Sequence, residues 1–246
     1  HGEYEVIDGA RNLLNYCRPV CVFTWPACVA RSKSLDTALK LLADFGADII
    51  TGADYVITSF VKQDNIPFDK YSTRGDYHWH KYESIGSFTD LVNEVVSIIK
   101  SYNDATILDV GCGDGLFTDK LSAFGIDNDI AGIEICKNKG VNCAYLSVMD
   151  VHKLNRYFDA VCLFDTLEHL HNQREVIDLL KIITNKIYIL NPAPSGSPYH
   201  TREFTADNLT EWMKALGWRV ILRKDFPLGK GSDKTLFAFK RLAEND

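Results

Sequence analysis

The chain has 246 residues, of which 46% are hydrophobic and 24% charged, and its formal net charge is −6 at pH 7. These values are ordinary for a globular protein with a sizeable core, and they exclude a collagen and a disordered chain. A surface that holds nucleic acid by its phosphates needs clustered Lys and Arg, which the acidic balance disfavours. We therefore expect no nucleic-acid partner.

The cysteines and the apolar runs indicate the compartment. Seven cysteines form an odd set without C-x-x-C spacing, which predicts neither a disulfide framework nor a zinc ribbon. The longest uncharged apolar run, residues 19–30, is shorter than the roughly 20 residues of a membrane-spanning helix. We expect a cytoplasmic protein without a membrane span. Because the chain opens with His1 rather than Met, we also expect a trimmed or excised polypeptide, and fusion to another catalytic domain is left open.

Residues 1–75 are predicted to form a small N-terminal α/β appendage. Residues 20–24 and 54–60 have the composition of strands, and residues 36–45 that of an amphipathic helix that ends at Gly46. This βαβ-like piece is too small to bury both faces of its own sheet. We expect a lid or brace on the main domain. The alternative is the remnant of a truncated second domain, since the segment faintly resembles part of a nucleotidyltransferase.

From residue 76 onward the pattern alternates between helix and strand. Strands are predicted over residues 105–110, 130–135, 142–146, 160–164, 186–190, 218–222 and 236–239. Helices are predicted near Lys137 and over residues 91–99, 116–124, 175–183 and 206–216. The last two strands are joined by a polar loop without a helix, as in an antiparallel pair. Residues 76–246 therefore predict a doubly wound, seven-stranded, mostly parallel sheet whose last strand is antiparallel.

A glycine-rich turn follows the first strand of this domain. The stretch Ile107-Leu108-Asp109-Val110-Gly111-Cys112-Gly113-Asp114-Gly115 leads from a strand into a helix, and glycines there permit a tight turn close to a ligand. The dinucleotide fingerprint is not met, because Leu116 stands where its third glycine is expected. Asp109 and Asp114 would repel a pyrophosphate, so the turn favours a cationic ligand.

This stretch resembles motif I of class I S-adenosylmethionine-dependent methyltransferases, and later segments match further motifs of that family in order. The resemblance implies S-adenosylmethionine as cofactor and S-adenosylhomocysteine as product. It places the methionine part of the cofactor on Asp109, Gly111, Cys112, Gly113, Asp114 and Gly115. It places the ribose at Glu134 and Ile135, the adenine at Met149 and Asp150, and the donor methionine and acceptor beside Phe164 and Asp165.

Methyl transfer to a hydroxyl also needs a general base. His169, His200 and Asp165 are the candidates, because they are expected at one edge of the sheet and histidine titrates near neutral pH. The spacing Asp165-x-x-Glu168-His169 is also similar to the metal site of small-RNA 3′-end and ubiquinone-pathway O-methyltransferases. Because its first residue is Asp rather than Glu, we expect no metal here.

A second resemblance concerns the acceptor. Tyr77-His78-Trp79 resembles the lead-in of methyltransferases from bacterial glycan and surface-polysaccharide pathways, where such residues pack over the cofactor as a lid. A packed connector between the two parts of the chain is the alternative. The resemblance implies O-methylation of a sugar or glycan-precursor hydroxyl. Two alternatives stay open, namely a metal-assisted RNA 2′-O-methyltransferase and the cofactor-binding module of a larger protein that includes a nucleotidyltransferase.

Overall fold

The computed structural model describes residues 21–24, 48–51, 55–59, 70–197, 199–229 and 232–242. The chain divides into two compact units, His1–Pro67 and Phe68–Asp246. The sequence had placed this division near residue 75. The difference arises because Tyr71, in the helix Lys70–Arg74, packs against Gly113 and Gly132 of the second unit.

The first unit contains a three-stranded antiparallel sheet with strands in the order β1-β3-β2. The strands are β1 (Cys21–Thr24), β2 (Asp48–Thr51) and β3 (Tyr55–Ser59). Strands β1 and β3 lie where the sequence predicted them. The predicted βαβ arrangement is wrong, because β3 pairs antiparallel both with β1 and with the unpredicted strand β2. The predicted helix over residues 36–45 lies outside the described residues.

The second unit is built on a seven-stranded sheet with the order β6-β5-β4-β7-β8-β10-β9. Its strands are β4 (Ile107–Val110), β5 (Phe124–Asp127), β6 (Cys143–Tyr145), β7 (Ala160–Phe164), β8 (Lys186–Pro192), β9 (Trp218–Phe226) and β10 (Lys234–Arg241). Strands β4 to β8 pair in parallel, and β10 lies antiparallel between β8 and β9. The predicted fold class, with its reversed last strand, is confirmed.

Helices cover both faces of this sheet. They are α1 (Lys70–Arg74), α2 (Tyr77–Ser84), α3 (Gly86–Lys100), α4 (Leu116–Leu121), α5 (Ile130–Asn138), α6 (Gln173–Leu180) and α7 (Ala206–Ala215), with 3₁₀ helices at Val148–Leu154 and Leu167–His169. Strand β7 shows the alternation that makes two cores, since Val161 and Leu163 belong to one apolar cluster and Ala160 and Cys162 to the other. None of the helices in the described ranges has the length and hydrophobicity that crossing a bilayer requires.

The second strand of the sheet lies earlier in the chain than the sequence predicted. Residues 130–135 were expected to form it, but they belong to α5, and β5 ends at Asp127. The Asp129 side chain caps α5 by accepting hydrogen bonds from the backbone N–H groups of Ala131 and Gly132, at 2.9 and 3.1 Å. A short apolar run fits a buried strand and a buried helix face equally well, which is the reason for the error.

Asp104 links β8 to the segment before β4, and removing its side chain should destabilise the fold. Its carboxylate is 2.6 Å from the Lys186 ammonium and accepts a 2.7 Å hydrogen bond from the Tyr188 hydroxyl. Because Asp104→Ala leaves both partners unsatisfied in a mostly buried place, we expect the free energy of unfolding to fall by about 3–5 kcal/mol. Urea denaturation measures it. The matched control Asp90→Ala, on the exposed side of α3, should change it by less than about 0.5 kcal/mol. Equal losses in the two variants would contradict the anchoring role.

Candidate functional site

The glycine-rich turn joins β4 to α4 at the carboxyl edge of the parallel strands. Gly111 and Gly113 have φ values of 74° and 55°, which side chains rarely adopt. A Cβ atom on Gly111 would lie 2.5 Å from a methyl carbon of Thr166, and one on Gly113 would collide with the Tyr71 hydroxyl. The backbone N–H of Gly111 donates to the Ile126 carbonyl at 2.8 Å. The turn is therefore tightly held and excludes larger residues.

Asp109 is the buried acid behind this turn, and its side chain is 2% exposed. One carboxylate oxygen accepts a 2.6 Å hydrogen bond from the Thr118 hydroxyl, and the other has no partner among the described residues. Burial raises the pKa of Asp109 to about 7. An unpartnered buried carboxylate oxygen is costly, and a positively charged ligand over the turn would stabilise the ionised form. The buried carboxylate of Asp109 thus fits a cationic cofactor.

The acid at the end of β5, the second strand of the seven-stranded sheet in chain order, is Asp127. Its two oxygens accept hydrogen bonds from the backbone N–H groups of Gly113 and Asp129, each at 2.8 Å. Burial is the main reason that the pKa of Asp127 is raised. The sequence had put Glu134 and Ile135 at this strand end, which is wrong because both lie in α5, where Glu134 is exposed. The usable signal was a short apolar run that ends in an acid, Phe124-Gly125-Ile126-Asp127.

Asp114 holds α2 against the turn. Its buried carboxylate accepts a 2.7 Å hydrogen bond from the backbone N–H of His78 and lies 3.1 Å from Nδ1 of the same residue. The Trp79 indole N–H donates to the Asp114 carbonyl at 2.8 Å. Both oxygens are thus engaged by α2, and a contact of Asp114 with the cofactor stays a prediction. The segment Tyr77-His78-Trp79 is fastened directly beside the glycine-rich turn.

Apolar and acidic side chains follow β5 and β6 at the same edge of the sheet. Met149 and Asp150 lie in the 3₁₀ helix after β6, as the sequence order predicted. The Asp150 carboxylate is 2.8 Å from the Lys153 ammonium and half exposed. Ile130, the first residue of α5, is 64% exposed, which is unusual for so large an apolar side chain. Because β5 and β6 are neighbouring parallel strands, these side chains share one edge.

A cavity of about 330 Å³ opens beside the carboxyl ends of β7 and β8. It is lined by Lys70, Thr73, Arg74, Tyr77, Asp165, Glu168, His169, Pro192, Ser197, Tyr199, His200 and Lys234. The structure thus brings together the three predicted base candidates. Phe164 is not part of this lining, because its ring is mostly buried and packs on Phe117 with ring centres 4.4 Å apart.

Asp165 is ion-paired in this cavity. Both of its oxygens contact the Lys234 ammonium, at 2.6 and 2.7 Å, and its φ is 47°. Burial alone would raise the pKa of Asp165, but the charge and hydrogen bonds of Lys234, together with the nearby charges of His78 and Lys70, lower it. A carboxylate held in this way is a poor proton acceptor. No sequence motif pointed to Lys234, which reaches the site because it pairs with Pro192 across β10 and β8.

The two histidines of the cavity are oriented by neighbours. His169 Nδ1 is 3.0 Å from the Tyr199 carbonyl oxygen, so in a neutral ring Nδ1 carries the proton and Nε2 is the acceptor nitrogen. Burial lowers the pKa of His169. His200 Nδ1 is 2.5 Å from the Glu203 carboxylate, and the two imidazole ring centres are 4.9 Å apart. Burial would raise the pKa of Glu203, but the backbone N–H groups of Ser195 and Gly196, together with His200, hold it at about 2.

One group of side chains in the cavity has the chemistry of a metal site. Glu168, His169 and His200 each offer a ligand atom, and these atoms lie within 4.8 Å of one another. Burial and the nearby charge of Asp165 raise the pKa of Glu168 to about 8. These residues could hold a divalent cation, although Asp165 of the predicted pattern is engaged by Lys234. That no metal is used stays a prediction.

The sequence is similar to those of known methyltransferases. A family model described as a methyltransferase domain matches residues 79–222. The ubiquinone biosynthesis O-methyltransferase of Rickettsia canadensis (strain McKiel) is 35% identical over 96 residues, which cover 34% of this chain and 41% of that protein. The protein of the same name from Nitrosomonas europaea is 24% identical over 136 residues, or 48% of this chain and 57% of that protein. The chain thus spans about half the length of these curated relatives.

Solved structures share the fold. The magnesium protoporphyrin IX methyltransferase from Synechocystis PCC 6803 with bound S-adenosylhomocysteine superposes with a TM-score of 0.56 at 12% identity, covering 70% of this chain and 97% of that one. The N-methyltransferase NodS of Bradyrhizobium japonicum WM9, in complex with S-adenosylhomocysteine, superposes with a TM-score of 0.56 at 15% identity, covering 65% and 90%. At these identities the likeness is one of architecture.

Replacing Asp109 tests how much its buried carboxylate lowers the free energy of unfolding as pH rises. Because its pKa is about 7 when folded and 3.8 ordinarily, the native state binds a proton that the unfolded chain has released between these values. Stability contributed by this proton is therefore lost as pH rises from about 4 to about 7. We expect Asp109→Asn to be more stable than the wild type at about pH 8 and less sensitive to pH, as measured by urea unfolding. The control Asp119→Asn, exposed on α4, should keep the wild-type pH dependence. An unchanged pH dependence of stability in Asp109→Asn would refute the raised pKa of Asp109.

Proposed function

Because the chain belongs to the methyltransferase domain family, we propose that it transfers a methyl group from S-adenosylmethionine to a hydroxyl of a small-molecule acceptor. The observation that carries this proposal is the glycine-rich turn, flanked by Asp109 and Asp127, beside a cavity that holds two oriented histidines. When bound, the cofactor supplies a methyl group on a positively charged sulfur. The acids at this edge suit that charge, because a cation is stabilised by carboxylates in a poorly solvated site.

The cofactor side is assigned to residues of the first three parallel strands in the chain. The turn from Gly111 to Gly115 receives the methionine part, as the orphaned oxygen of Asp109 supports. Asp127 replaces Glu134 as the ribose acid, since each of its oxygens has a second lone-pair direction beyond the backbone N–H that it accepts. Ile130 and Met149 form the apolar contact for adenine, with Asp150 at its amino group.

The acceptor side is assigned to the cavity beside β7 and β8. His200 Nε2 takes the proton of the acceptor hydroxyl, and Glu203 at Nδ1 stabilises the imidazolium that forms. His169 is the second candidate for this proton. Asp165, ion-paired with Lys234, positions side chains rather than accepting protons. Alignment and exclusion of water supply the remaining acceleration.

The acceptor hydroxyl is proposed to sit on a ring. Tyr77 and Tyr199 line the cavity, and aromatic faces stack on sugars and on phenols alike. The sugar or glycan-precursor hydroxyl is the version that the lead-in motif favours, and a phenolic hydroxyl is the version that the names of the curated relatives favour. Incubation with donor and either simple sugars or catechol, followed by mass spectrometry of the products, separates them. Donor binding without methyl transfer to either would favour the binding-module alternative.

The ribose assignment is tested by a pair of acid substitutions. We expect Asp127→Asn to weaken binding of S-adenosylhomocysteine by about tenfold or more, because a charge-assisted acceptor is lost. Glu134→Gln is the matched control, since Glu134 is exposed on α5 and should bind with wild-type affinity. Isothermal titration calorimetry measures both. The reverse ranking of the two variants would restore the original assignment of Glu134.

The base is tested by separate histidine substitutions. We expect His200→Asn to lower turnover about 100-fold, because general-base catalysis contributes at least that factor, while affinity for S-adenosylhomocysteine stays unchanged. His152→Asn, exposed in the 3₁₀ helix after β6, is the control. Full turnover in both His200→Asn and His169→Asn would exclude a histidine base.

A further inference from the structure

Three cysteine thiols lie together beside the glycine-rich turn. Cys112 is in the turn, Cys136 is in α5, and Cys143 is the first residue of β6. Cys112 and Cys136 belong to one small buried cluster, against which Cys143 packs. Gly125 of β5 pairs with Cys143, and a Cβ atom on it would lie 2.9 Å from the Cys112 sulfur. The fold therefore gathers three free thiols that are distant in sequence from one another or separated by a loop.

Cys136 is the central member of this group. Its thiol is hydrogen-bonded to the thiols of both Cys112 and Cys143. It also donates a 3.2 Å hydrogen bond to the backbone carbonyl of Gly113, inside the turn. A Cβ atom on Gly115 would lie 2.7 Å from its sulfur, so this sulfur packs directly against the turn. Because close-packed groups transmit displacement, a change at the Cys136 sulfur should move the turn.

The three thiols differ in access and in acidity. Cys143 is partly exposed, whereas Cys112 is 8% and Cys136 0% exposed, so an oxidant reaches Cys143 first. Burial raises the pKa of Cys143 to about 12, which makes its thiolate scarce and its oxidation near neutral pH slow. The hydrogen bond with Cys112, together with that of Cys143, lowers the pKa of Cys136 in spite of burial. Cys136 is therefore suited to attack an oxidised neighbour as a thiolate.

We infer that the Cys136–Cys143 pair is a site of oxidative modification, at which peroxide forms a disulfide that weakens binding of the cofactor. Peroxide transfers one oxygen atom to the Cys143 thiol, which becomes a sulfenic acid, and one water leaves. The Cys136 thiolate then attacks the Cys143 sulfur. The S–S bond forms, the S–O bond breaks, and the hydroxide takes up the proton that Cys136 released. The two thiols are thereby oxidised to a disulfide, and peroxide is reduced to two molecules of water.

The effect on the cofactor follows from the hydrogen bond that Cys136 gives up. A disulfide sulfur has no proton to donate, so the bond to the Gly113 carbonyl is lost and the sulfur is drawn towards β6. The turn is the part assigned above to the methionine end of the cofactor. This effect therefore rests on the proposed function and adds a regulation of the same site. We expect S-adenosylhomocysteine to bind the disulfide form about tenfold more weakly, and a reductant to restore its affinity.

The test maps the disulfide and measures cofactor binding on the same chain. The protein is incubated with hydrogen peroxide, and the remaining thiols are alkylated. Trypsin cleaves after Lys137 and Lys139, so a Cys136–Cys143 disulfide appears in mass spectrometry as one mass that joins two separate peptides. Isothermal titration calorimetry with S-adenosylhomocysteine compares the reduced protein, the oxidised protein and the oxidised protein after dithiothreitol. Recovery with dithiothreitol distinguishes the disulfide from a sulfoxide at Met149, which needs a dedicated reductase.

Variants of single cysteines connect the two measurements. Cys143→Ala should abolish both the joined peptides and the loss of affinity after peroxide, and in reduced form it should bind S-adenosylhomocysteine as the wild type does. Cys162→Ala is the matched control, because Cys162 is also a free thiol but lies in β7, in a different apolar cluster. It should respond to peroxide as the wild type does. If circular dichroism shows that Cys143→Ala is unfolded, Cys143→Ser replaces it.

Four results would overturn the inference. They are absence of the joined peptides, a bridge from Cys136 to Cys112 in their place, unchanged affinity of the disulfide form, and a loss of affinity in Cys143→Ala equal to that of the wild type. If the reduced protein binds S-adenosylhomocysteine, each of these results leaves the proposed function standing. A protein that forms the Cys136–Cys143 disulfide but binds no S-adenosylhomocysteine in either state supports the modification site and refutes the proposed function.

Discussion

The hydrogen bond from the Gly113 backbone to the Asp127 carboxylate joins the glycine-rich turn to the second strand, and the geometry of the site depends on this junction. The same carboxylate accepts the N–H of Asp129, whose own side chain caps α5. One buried acid therefore sets the shape of the turn and the start of the neighbouring helix. Because burial favours its protonated form, its position is maintained by these N–H donors, which favour the charge.

Further contacts hold helices α1 and α2 against this junction. Asp114 accepts hydrogen bonds from α2, and Tyr71 of α1 lies against Gly113. The same two helices contribute Lys70, Arg74 and Tyr77 to the lining of the cavity beside β7 and β8. The glycine-rich turn and the wall of the cavity beside β7 and β8 are thus parts of one packed assembly. A change at either should be felt at the other, because close-packed groups transmit displacement.

Much of this architecture follows from local patterns in the sequence. Strand β7 and the turn from Gly111 to Gly115 lie where predicted, since an apolar run followed by glycines admits few structures. Glu134 was misplaced because Ile130 to Ile135 is compatible with strand and helix alike, and the Asp129 cap decides between them. The ion pair of Asp165 could not be foreseen, because Lys234 is distant in sequence and arrives through strand pairing.

The insertion of β10 between β8 and β9 has a consequence for how the site is assembled during synthesis. The parallel strands β4 to β8 all precede β10 in the chain, whereas Lys234, the ion-pair partner of Asp165, is the first residue of β10. A nascent polypeptide emerging from the ribosome therefore contains β4 to β8 while the carboxylate of Asp165 still lacks this counter-ion. The cavity beside β7 and β8 gains Lys234 only when β10 pairs with β8.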